Sequence, residues 1–176
     1  MLKRSLIALC TLLGLSGCAG VTPESYRGQA PPLDLARYFD GPLTGWGYFA
    51  DRSGEVTRRF TVRMTGVWQG DQGRLTEDFS WSDGTRSQRI WHITRQGPNH
   101  YRGRADDVKG EAAGVAEGNA LQWRYTLLLP VDDKVYEVQF DDWMYLIDDE
   151  VLLNRSQMRK FGIRLGEVFI AFRRGA

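Results

Sequence analysis

A chain of 176 residues with 23 basic and 22 acidic side chains has no charge surplus, which argues against a nucleic-acid surface or a polybasic membrane patch. Twenty glycines, six tryptophans and only two cysteines fit one domain of short strands and tight turns, and they exclude a disulfide scaffold.

The first element is a leader. Lys3 and Arg4 precede an apolar run from Leu6 to Leu15, about ten residues and too short to cross a bilayer as a helix. Residues 1–17 therefore read as a signal peptide. Leu15-Ser16-Gly17-Cys18 resembles the lipobox of bacterial lipoproteins, which implies that Cys18 becomes the first mature residue and carries lipid. Cys10 leaves with the leader, so no intramolecular disulfide is possible. Losing Lys3 and Arg4 leaves 21 basic residues against 22 acidic, a net charge near −1. The expected membrane partner is reached through acyl chains, at about 0.8 kcal/mol per buried methylene. Ala19, where retained lipoproteins carry Asp, implies the outer membrane, facing the periplasm.

Residues 18–32 are polar and rich in Pro and Gly and read as a lipidated tether; residues 33–176 form the domain. Leu33 to Phe39 is expected to be a short helix ending at Asp40-Gly41-Pro42. Strands are then expected over Leu43–Phe49, Glu55–Trp68, Leu75–Trp81, Arg86–Arg95, His100–Asp107 and Glu111–Glu117. Ser82-Asp83-Gly84 marks a hairpin. The Ala- and Gly-rich strand Glu111–Glu117 leaves room for another surface to approach. The clearest period-two pattern follows. Leu121, Trp123, Tyr125 and Leu127 alternate with Gln122, Arg124 and Thr126, and after Pro130-Val-Asp-Asp133, Tyr136, Val138 and Phe140 alternate with Glu137, Gln139 and Asp141. Met144 to Ile147 either extends this second arm or leaves it as a loop. Val151–Arg155 and Phe161–Arg173 are the last strands, with Gly166 a bulge position. About ten such strands with no long helix predict an all-β fold: an antiparallel up-and-down barrel of 8–10 strands, with a sandwich or open barrel as the alternative.

A short helix entering a strand through Gly45-Trp46-Gly47 is similar to the opening of lipocalins and related calycins, which implies that Trp46 plugs one barrel end. The ordered blocks Phe39-Asp-Gly41, Ala105-Asp-Asp-Val-Lys-Gly110, Asp141-Asp-Trp-Met144, Asn154-Arg155, Met158-Arg-Lys-Phe-Gly162 and Gly166-Glu-Val168 resemble DUF3833, a family of uncharacterised bacterial lipoproteins. The resemblance spans nearly the whole domain. It implies no activity, but genes for fatty-acid cyclopropanation beside those of its members point toward membrane lipids.

The aromatic residues Trp46, Phe60, Trp81, Trp91, Trp123, Tyr125, Tyr136, Phe140 and Trp143 are the expected contacts for an apolar or lipid-like ligand, because in a barrel the core and the ligand cavity share one volume. Asp141 and Asp142, between Phe140 and Trp143, need a partner: either a structural ion pair or the ligand. Arg124 and Arg155 are the expected cations for a head group or carboxylate. His92 and His100 are too few for a zinc site, and the Asp runs lack a calcium-loop spacing, so no metal is expected. No cofactor motif, Gly-x-Ser-x-Gly elbow or catalytic cysteine is present, so no catalytic residue is assigned. The leading expectation is a lipid-anchored binding barrel. The alternatives are an enzyme on a modified fatty acid or phospholipid, with Asp141 or Asp142 as base, and a filled barrel that serves assembly.

Overall fold

The computed structural model describes residues 20–175; the signal-peptide and Cys18 readings lie outside them. Period-two alternation produces ten strands among the described residues: β1 (Gly41–Asp51), β2 (Val56–Gln69), β3 (Gln72–Trp81), β4 (Arg86–Arg95), β5 (His100–Arg104), β6 (Ala112–Glu117), β7 (Ala120–Val131), β8 (Lys134–Leu146), β9 (Val151–Lys160) and β10 (Ile163–Arg174). Each pairs antiparallel with the next, and β1 pairs with β10 from Leu43↔Arg174 to Asp51↔Gly166. The sheet is thus a closed up-and-down barrel with no free edge. Closure removes the sandwich and open-barrel alternatives.

The strands differ from their expected bounds where turn chemistry decides. β8 runs on through Leu146, and β9 continues past Arg155 to a Phe161-Gly162 turn, both residues with positive φ. The expected bulge lies beside Gly166, where the β9–β10 register shifts. β5 stops at Arg104 instead of Asp107. Residues 105–111 form a loop laid along β7, with Leu128 N donating to Asp107 O at 2.7 Å and Lys109 N to Thr126 O at 2.9 Å. That loop holds Asp107 at the barrel wall.

One barrel end is capped. Helix α1 (Leu35–Tyr38) starts at Asp34, whose carboxylate accepts from Arg37 N at 3.0 Å and from Arg95 Nη2 at 2.6 and 2.7 Å. Leu33, Leu35, Tyr38 and Phe39 are buried, and the Phe39 carbonyl occupies the space a side chain at Gly66 would need. Tyr38 Oη donates to the carbonyl of Glu150 at 3.0 Å, tying the cap to the β8–β9 loop.

The stretch expected as a tether touches the barrel at two places, although most of its residues are exposed: a 3₁₀ turn (Pro23–Tyr26) puts Tyr26 against Trp143 and Tyr145, with ring centroids 5.7 and 5.4 Å apart, and Leu33 N donates to Gly118 O at 2.8 Å. The reason is apolar burial, because this strap covers an aromatic patch on the outer wall.

Candidate ligand-binding cavity

Inward-facing positions do not fill the barrel. A cavity of about 220 Å³ remains, floored by Leu35 and Phe39 of the cap region and extending to Ser87, an exposed residue at the opposite end. Its mouth is a small ordered group. Arg58 lies over the Trp81 ring at 4.0 Å and donates to Asp83 at 2.6 Å, while Trp81 Nε1 donates to Ser87 Oγ at 2.9 Å. Below it Phe49, Phe60, Phe79 and Trp81 form an aromatic throat, with Phe79 and Trp81 stacked at 5.3 Å. A second aromatic set follows: Trp91 meets Trp123 and Tyr125 edge-on at 5.6 and 5.4 Å, and Tyr125 stacks on Phe140 at 5.0 Å.

Set into these apolar walls is a polar group. Glu77 and Arg89 face each other across the β3–β4 ladder, with Arg89 Nη1 4.0 Å from Glu77 Oε2. Arg89 is bound more tightly to Asp107, through Nε at 2.9 Å and Nη2 at 2.6 Å from one carboxylate oxygen. Asp142 enters from β8 and is 7% exposed, and its Oδ1 is buried with no hydrogen-bond partner. Burial pushes the Glu77 carboxyl up to about 7; Arg89 opposes this and Asp107 adds to it. Burial likewise pushes Asp142 up to about 7, against a hydrogen bond with Ser156 and the charge of Arg89. Burial lowers the Arg89 value, but Tyr125, Glu77 and Asp107 more than offset it, so the guanidinium stays charged. Burial, then Asp142, holds the Tyr125 phenol neutral. Two carboxyls that titrate near neutrality in one lumen can accept hydrogen bonds, stabilise a cation or move a proton. Among the described residues no cluster of three or more potential ligands is placed to hold a metal ion.

The structure divides the expected site residues in two. Phe60, Trp81, Trp91, Trp123, Tyr125, Phe140 and Asp142 line the cavity. Tyr136 packs against the core but does not line the cavity, and Lys160 Nζ sits 3.9 Å over its ring. Trp46, Arg124, Asp141, Trp143 and Arg155 are on the outer wall, because strand parity turns them away from the lumen. Trp46 is 48% exposed and plugs no end; Gly45 and Gly47 hold the inward positions beside it, leaving room for the rings of Phe172 and Phe60. Arg124 donates to Asp141 at 3.2 Å and Arg155 to Glu167 at 2.9 Å, so both expected head-group cations are in external ion pairs. Asp141 also accepts from Gln122 at 2.7 Å.

Three charged residues of the site were not expected. Glu77 shares parity with Leu75 and Phe79, and Arg89 with Trp91 and Ile93, so their alternation carried a signal. Asp107 carried none, because its place depends on the loop along β7.

Among solved structures, a DUF3598-family protein of unknown function from Nostoc punctiforme shares the barrel at 15% identity and TM-score 0.57, over 89% of this chain and 53% of that one. The chain thus spans about half the length of that protein. The S-type phycobiliprotein lyase from Guillardia theta matches at 6% identity and TM-score 0.59, over 82% of this chain and 94% of the lyase. At these identities the likeness is one of fold. No match is found among curated proteins. Residues 12–174 match the family DUF3833, proteins of unknown function, and the chain belongs to that family.

Proposed function

We propose that this protein is a lipid-anchored, periplasm-facing barrel that binds an apolar or lipid-like ligand in its interior, in the service of membrane fatty-acid modification or homeostasis. The observation that carries the reading is the cavity: a closed barrel, capped at one end by α1, keeps about 220 Å³ open behind an aromatic throat. Aromatic walls broken by a few convergent polar groups are the usual make-up of a small-molecule site. An open interior also counts against the filled barrel of an assembly protein. The test is to purify the protein, look for a co-purified molecule by native mass spectrometry, and titrate it with decyl-chain amphiphiles. Saturable quenching of fluorescence from Trp81, Trp91 and Trp123 is expected. Consistently empty protein with no quenching overturns the reading.

An enzymatic reading keeps one observation in its favour. Asp142 is buried, faces the cavity and titrates near 7, as a general base acting on a bound fatty acid or phospholipid would. Asp141 drops out as a base, because it faces outward. Under this reading Asp142→Asn abolishes turnover and spares binding.

A further inference from the structure

The lumen sets three carboxyls against one cation, and this imbalance of charge tells which ligands it should prefer. Among the described residues Arg89 is the one cation lining the cavity, and two of its nitrogens are already held by Asp107. Its remaining Nη1 is directed to Glu77 at 4.0 Å. Against this single cation stand Glu77, Asp107 and Asp142. Glu77 and Asp142 are more than nine-tenths buried and face the lumen from β3 and β8, five strands apart around the barrel. Ser156 is the one hydroxyl that reaches Asp142, it is shared with Asn154 Oδ1 at 3.2 Å, and Asp142 Oδ1 has no partner. The walls from β1, β2 and β10 add Phe49, Phe60, Val62, Val168 and Phe172, which are apolar.

We propose that the cavity selects apolar ligands that carry an ammonium group, with Glu77 and Asp142 as its acceptors, and discriminates against carboxylates. This rests on the interior-binding reading above. An ammonium brings three donors to a site with an unpartnered buried carboxyl oxygen, and its bond to a buried carboxylate is charge-assisted. A ligand carboxylate instead meets a guanidinium already held by Asp107 and, once Glu77 and Asp142 ionise, two like-charged groups beside it. Ammonium binding favours the ionised acids, so it should tighten as pH rises. The titratable and charged groups facing the site are Glu77 from β3, Arg89 from β4, Asp107 from the β5–β6 loop, Tyr125 from β7 and Asp142 from β8.

Residues 20–175 contain the closed barrel, its cap and its core, so they can be tested as a soluble domain. Decylamine, decanol and decanoate share one chain and differ in the end group. Tryptophan quenching at pH 8 should give decylamine an affinity at least about tenfold above the other two, and the gap should shrink at pH 6. Glu77→Gln and Asp142→Asn should each narrow it, with the fold checked by circular dichroism. If decanoate binds as well as decylamine, the ammonium preference is overturned and interior binding stands. If none of the three binds, interior binding itself is overturned, and this proposal with it. Wild-type selectivity kept by whichever variant folds also overturns the assignment to that carboxyl. Should neither variant fold, the wild-type ranking of the three ligands decides.

Discussion

Arg89 and Asp107 form a two-pronged ion pair in the barrel wall, with Nε and Nη2 at 2.9 and 2.6 Å from the same carboxylate oxygen. Asp107 comes from a loop and Arg89 from β4, so the loop decides whether the lumen's cation is neutralised. Asp107→Asn should free the guanidinium toward Glu77 and Asp142 and make the lumen more positive. Decanoate should then gain about tenfold in affinity and decylamine should lose a similar factor. Parallel titrations of wild type and variant measure this; unchanged selectivity would show that Asp107 serves only to hold the loop.

Stability should fall as pH rises across neutrality. Glu77 and Asp142 both have folded values near 7, above their ordinary ones. A raised acid gives stability that is complete below its unfolded value, near 4, and is lost as pH climbs through 7. The size is on the order of 3 kcal/mol for Glu77. Carboxylates held low act elsewhere: Asp51, lowered by its hydrogen bond with Ser53, titrates below this window. Urea unfolding at pH 5 and pH 8 should therefore favour pH 5, and Glu77→Gln should flatten the difference. A wild-type protein equally stable at both values contradicts the burial of these acids.

Alternation made the barrel legible because each strand buries one parity; the same rule, applied strictly, would have put Asp142 inside and Asp141, Trp143 and Arg124 outside. The aromatic character of Trp46 and Trp143 concealed this, since an aromatic residue can also be needed on an outer wall, as Trp143 is under Tyr26. Charge concealed Glu77 and Arg89 in the opposite way: residues that normally seek water sit inward because each gains a partner there. Nothing local to Asp107 could have placed it. Arg124→Ala and Arg155→Ala, which break only external ion pairs, should leave decylamine and decanoate affinities within about twofold of wild type.

The small residues of β5 and β6 make room for a surface from the same chain. Gly103 and Gly114 sit under the two edges of the Trp123 ring, and a methyl group at either would lie well inside van der Waals contact with it. Trp123 is 4% exposed and cannot swing away without disturbing Trp91, 5.6 Å from it. Gly114→Ala should cost about 1–3 kcal/mol by overpacking. Trp123→Leu has its own cost from lost volume, but on that background Gly114→Ala should be close to neutral. A double-mutant cycle by thermal unfolding measures the coupling. Independent, additive losses would mean that the ring is not what fills this space.

The anchor is the last prediction. Cys18 precedes by five residues the packed Pro23, and a chain reaches at most about 3.6 Å per residue. If Cys18 carries lipid, the barrel is held within roughly 18 Å of the anchoring residue, much closer than a free tether to residue 32 would allow. Cys18→Ser cannot form a thioether to diacylglycerol. Cys18 lies outside the described residues, and the core and closed barrel are built from Leu33 onward, so the variant barrel should fold as wild type does, with the same unfolding midpoint and the same decylamine affinity. Its location should change: wild type pellets with membranes, and the variant moves to the soluble periplasm or the uncleaved precursor. Loss of function in the cell, with binding intact in the test tube, would then show that nearness to the membrane supplies the ligand. Wild type recovered wholly in the soluble fraction, or a variant that pellets as firmly as wild type, would sink the lipid-anchor proposal and leave the barrel's ligand preference to stand on its own measurements.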